Sequence, residues 1–126
     1  MSQQSVIRRD ELKLELVLSE ATKPLGFATV APGLSDQSNR VTVAWIGVDG
    51  GRLAWEVQLI LPTKEFGTAL AEVFTAAWNA VAEDQRFTPD ATSVGVSYSE
   101  VPTGGTKQKN YVSFTVLGSN IDARGV

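Results

Sequence analysis

The chain has 126 residues, 43% of them hydrophobic and 20% charged, a balance that excludes a disordered chain and suits one domain with a single core. It contains no cysteine and no histidine. That excludes disulfides, thiolate metal sites, iron–sulfur clusters and thiol nucleophiles, and removes the commonest general base and metal ligand near neutral pH. The net charge of −3 disfavours broad electrostatic binding to nucleic acid, although a local basic patch can override it.

The first ten residues lack the apolar segment of a signal peptide, and no apolar run approaches the ~20 residues that span a bilayer. The expectation is therefore a cytoplasmic protein, or one assembled into a virion in the cytoplasm, with no membrane partner. Residues 1–6 read as a flexible start. In residues 10–18, Leu12, Leu14, Leu16 and Leu18 share one parity, and Glu11, Lys13 and Glu15 hold the other. That period of two predicts a strand with one buried and one wet face. Residues 19–40 carry Pro24, Gly26, Pro32 and Gly33 and read as a loop, with a short strand at 27–30.

A hairpin is expected next, with arms at 41–48 and 52–61 around Asp49-Gly50-Gly51, residues that supply the positive φ angles of tight hairpin turns. The second arm has one apolar face, made by Leu53, Trp55, Val57, Leu59 and Leu61. The first arm is apolar on both parities, a pattern usual for strands covered on both sides. Pro62 ends the sheet pattern, and Thr63 and Glu65 suit a helix N-terminus. Phe66, Leu70, Val73, Phe74, Ala77, Trp78 and Val81 form one stripe of a helix running to about residue 85. After a turn at 86–92, residues 94–99 and 112–116 alternate as a second hairpin, joined by a long connection at 101–110. Residues 118–126 read as a tail.

These elements predict an α+β fold in one domain, residues 1–126. An antiparallel sheet of five or six strands carries one long helix, about 63–85, on one face, in the order β(β)ββ-α-ββ. Trp45, Trp55 and Trp78 are expected to meet in one core cluster.

The motifs exclude more than they assign. Thr103-Gly-Gly-Thr-Lys107 lacks the phosphate-loop pattern, since Gln108 follows the lysine and the context is strand–loop–strand. Glu83-Asp84 sits at the predicted helix end and reads as solvated surface, and Asp49 sits in a turn, where Asp serves the backbone. No catalytic residue, metal or cofactor is expected, although carboxylate-only chemistry stays open. One helix cannot cover both faces of such a sheet. The leading expectation is thus a non-enzymatic protein that self-associates, as a homodimer or as a subunit of a larger viral or phage assembly, through Ala44, Ile46, Val48 and Ile60. The alternative is a single-stranded nucleic-acid-binding module using Thr106, Lys107, Lys109 and Asn110 of the loop with Tyr98 and Tyr111 beside it. A third reading is a small-molecule pocket between helix and sheet.

Overall fold

The computed structural model describes residues 3–30, 39–61, 68–97 and 110–121. The chain opens with a helix, α1 (Gln3–Thr22), and not with the expected strand. The leucine alternation fits either period; the four-residue spacing of Asp10, Leu14, Leu18 and Thr22 decides it. All four are fully buried, whereas Leu12 and Leu16 are 52% and 50% exposed on the far side. Residues 10–18 are rich in Leu, Glu and Lys, strong helix formers, and hold only one β-branched residue, Val17. Propensity and the i, i+4 stripe therefore outweigh the shared parity. A 3-10 turn at Lys23–Leu25 ends the helix: Pro24 lies within it, and Gly26, at φ 86, closes it with its N–H on Lys23 O.

Strand β1 (Ala28–Thr29) falls inside the expected 27–30 segment. It pairs parallel with β2 (Arg40–Asp49), so the sheet is mixed and not wholly antiparallel. The predicted hairpin is present: β2 and β3 (Arg52–Leu61) pair antiparallel around Gly50 and Gly51, at φ 59 and 79. Helix α2 (Thr68–Glu83) follows; the cap proposed at Thr63 and Glu65, with Phe66, lies outside the described residues. Strand β4 (Thr88–Ser97) begins where a turn was expected, because the turn is confined to 84–87, closed by Phe87 N–H on Asp84 O at 3.0 Å. Pro89 is tolerated there because β4 is an edge strand, which does not need every N–H in the ladder. Strand β5 (Asn110–Asn120) runs into the segment expected as a tail.

The five strands lie in the order β1-β2-β3-β5-β4. Among the described residues there are two α-helices, not one, and both pack on the same sheet face: α1 against β1, β2 and α2, and α2 against β3 and β4. The core joins Leu14 and Leu18 of α1 and Val73, Ala77 and Val81 of α2 to one parity of the strands. That parity is Val41 and Val43, then Leu53, Trp55, Val57 and Leu59, then Val112, Phe114 and Val116. Cross-strand register confirms the shared face, with Val43 opposite Val57 and Val57 opposite Phe114. The other parity is largely polar, with Glu56, Gln58, Ser113 and Thr115, but Arg40, Thr42 and Ile60 on it are buried.

The expected three-tryptophan cluster does not form. Trp55 is buried in the core. Trp78 packs with Phe74 and Phe114, at ring-centroid distances of 5.6 Å and 5.2 Å. Trp45 stays 42% exposed, and its indole N–H donates to Gly47 O at 2.8 Å.

Candidate functional sites

Two places gather features that the core does not use. The first is the distal half of the β2–β3 hairpin. Trp45 pairs with Trp55, but Gly47 pairs with Ala54, so Ile46 is an extra residue in a β-bulge. Gly47 takes φ 132, a conformation open to glycine and strained for any other residue. The bulge switches the parity of β2: Val43 and Trp45 share the helix-bearing face before it, and Val48, opposite Leu53, does so after it. Leu53 and Trp55 of β3 are fully covered, yet Ile46 is 55% and Val48 48% exposed. From Val41 to Val48 the strand carries no charge.

Of the four residues expected to self-associate, Ile46 and Val48 are therefore both exposed, whereas Ala44, opposite Glu56 on the face without helices, is half-buried. Ile60 lies at the other end of the hairpin, between Arg40 and Tyr111 in register, and is buried. Sequence reasoning placed Trp45 in the core and missed the exposure of Leu12 and Leu16, because a strand reading assigned all four leucines to one buried face. On the opposite sheet edge Val94 and Val96 are also exposed. A cleft of about 300 Å³ separates Val94 and Ala91 from Phe74 and Trp78 of α2.

No family model matches the chain, and no curated protein matches it.

The second place is a polar corner where α1, the end of α2 and the end of β5 meet. Asp10, fully buried, accepts hydrogen bonds from Ser119 N–H at 2.7 Å and Ser119 Oγ at 2.6 Å. Its charged neighbour is the Arg86 guanidinium, at 3.9 Å. Gly118 is required beside this contact. A Cβ there would collide with Asp10 Oδ2 and lie 3.2 Å from Trp55 Nε1 and 3.4 Å from Phe87. The Trp55 indole N–H is itself buried with no acceptor among the described residues.

Of the acidic residues weighed for catalysis, Asp84 holds local structure. Asp84 Oδ1 accepts Arg86 N–H at 2.9 Å, its other oxygen pairs with Lys13 at 3.8 Å, and Glu83 and Asp49 are exposed. Glu15 on α1 has its carboxyl raised above the ordinary value by burial, reinforced by Glu11 and opposed by Arg8. Among the described residues no group of three or more acidic side chains could hold a metal ion, and no helix is long and apolar enough to cross a membrane.

The loop weighed for nucleic-acid binding falls mostly outside the described residues, with Tyr98, Thr106, Lys107 and Lys109. Asn110 and Tyr111 open β5, opposite Leu61 and Ile60 of β3.

Proposed function

We propose that this protein acts by assembling with copies of itself, as a homodimer or as a subunit of a larger shell or tube, without catalysing a reaction. One observation carries the reading: an uncharged strand segment leaves Trp45, Ile46 and Val48 in water together, while the facing residues of β3 are fully covered. Contiguous exposed apolar surface on globular proteins marks contact sites more often than it is idle. A stable dimer buries roughly 800 Å² per partner, so these three side chains would be the centre of an interface. The absence of histidine and cysteine agrees with a structural role, and virus and phage particles, built in the cytoplasm from many copies of such small subunits, provide a fold-level analogy.

The test is mass by light scattering, with absorbance at 260 and 280 nm on the same peak. The expected result is a multiple of 13.5 kDa that falls when Ile46 or Val48 becomes Lys, with an unchanged melting temperature in dilute solution. A monomer at every concentration would refute the reading. A peak with excess 260 nm absorbance would move the case to nucleic acid and to Lys107 and Lys109.

A further inference from the structure

The polar corner carries more positive charge than its own structure consumes. A cleft of about 570 Å³ is lined by Arg52, Gln85, Arg86, Thr88, Gly118, Ser119 and Asn120. Every one of these except Gly118 has a side-chain donor, and none is a carboxylate. In a chain of net charge −3, a concave surface with two arginines and no acidic lining runs against the average.

The two guanidinium groups are held in different ways. Arg52 is fixed by four hydrogen bonds, to Gly118 O (2.7 Å), Thr88 Oγ1 (3.2 Å), Arg86 O (3.1 Å) and Leu117 O (3.1 Å). All four acceptors are uncharged, so its charge is placed without being neutralised, and one of its five N–H donors is left over. Arg86 has its backbone pinned at both ends, by Asp84 through its N–H and by Arg52 through its carbonyl. Among the described residues its guanidinium meets a charge only at Asp10, at 3.9 Å, beyond hydrogen-bond distance. Each Asp10 oxygen already accepts one hydrogen bond, from Ser119 N–H or Oγ. The Arg86 fork is thus available beside the remaining donor of Arg52 and the hydroxyl of Thr88.

From this arrangement we infer that the cleft is a binding site for an oxyanion, a phosphate or carboxylate group, held between Arg86 and Arg52 with Thr88 donating a third hydrogen bond. Planar guanidinium forks suit both groups, and prior fixation of Arg52 lowers the ordering cost of binding. The inference stands apart from self-association: Arg52 starts the distal end of β3, but Trp45, Ile46 and Val48 do not line the cleft.

The three tryptophans make the test local. The Trp55 indole lies under the Gly118 floor of the cleft, whereas Trp45 is on the hairpin and Trp78 on α2. Isotope-labelled protein is titrated with inorganic phosphate, and separately with succinate, at constant ionic strength set by sodium chloride. The expected result is saturable movement of the Trp55 indole signal and the Ser119 and Asn120 amides, with the other two indoles unmoved. Calorimetry then gives affinities. Arg86→Gln should weaken binding about tenfold or more, Thr88→Val should weaken it with both charges kept, and Lys23→Gln, the same charge change at an exposed distant site, should leave it unchanged. Saturation by phosphate alone, or by succinate alone, supports the site and identifies the source of the oxyanion. Shifts that never saturate with either probe, or that are equal in wild type and Arg86→Gln, overturn it.

Discussion

Truncating the four leucines of α1 to alanine, one at a time, sets the helix against the strand that the same residues suggest. Leu14 and Leu18 are fully buried in the core cluster, and Leu12 and Leu16 are about half exposed. A buried Leu→Ala change loses the transfer energy of the side chain and leaves a cavity, for about 2–5 kcal/mol. Taking roughly 3 kcal/mol, and an unfolding entropy near 2.1 cal/mol/K per residue over this chain, the melting temperature should fall by roughly 11 °C for Leu14→Ala and Leu18→Ala. At Leu12 and Leu16 less area is lost, no cavity forms, and alanine is the better helix former, so the net change should stay within about 1 kcal/mol. Thermal and urea unfolding in dilute solution measure all four. Comparable losses at Leu12 and Leu14 would refute the helical spacing and restore a strand with one buried face. A loss at Leu12 or Leu16 that grows with protein concentration would instead place those residues in a subunit contact, since association stabilises by mass action.

Two further substitutions probe the polar corner. Gly118→Ala forces a methyl group onto Asp10, Trp55 and Phe87, and should cost about 1–3 kcal/mol in urea unfolding; an unchanged midpoint would show that the corner is looser than described. Asp10→Ala strands the Ser119 N–H and hydroxyl and should cost about 3–5 kcal/mol, whereas Asp10→Asn keeps one acceptor and should cost less than half of that, so equal losses would contradict the assigned hydrogen bonds.

The parts of the fold that could be read from sequence are those in which one local signal had no rival. Asp49-Gly50-Gly51 admits little besides a tight turn, and the register of the β2–β3 hairpin follows from it as far as the bulge at Ile46. The stripe through Val73, Ala77 and Val81 has only the helical period, and those three residues are fully buried. Residues 10–18 failed because leucines spaced by two also contain leucines spaced by four. Leu14 and Leu18 satisfy both periods, and the residue that separates them is Asp10, a charged group that a burial pattern built on hydrophobicity cannot place in the core. Its burial depends on Ser119, more than a hundred residues away in the chain. No local rule supplies that partner. The same limit hid the arginine cleft, since Arg52 and Arg86 become neighbours only when β3 and the turn after α2 both meet β5.

At β2 a single inserted residue redirects a surface. Read as an unbroken strand, 41–48 presents Val41, Val43 and Trp45 to one side and Ala44, Ile46 and Val48 to the other, and both sides demand cover. The bulge at Ile46 moves Val48 onto the side of Trp45, so these two apolar side chains share one face at the distal end of β2. Bulges on an outer strand usually interrupt pairing and discourage ladder extension. An interface here should therefore form through side chains, with Trp45, Ile46 and Val48 filling a complementary surface, and not through continuation of the backbone ladder. That distinction is measurable. Interface loss should track the size of the residue at position 46, with Ile46→Val close to wild type and Ile46→Ala clearly weaker. An interface built on backbone pairing would tolerate both.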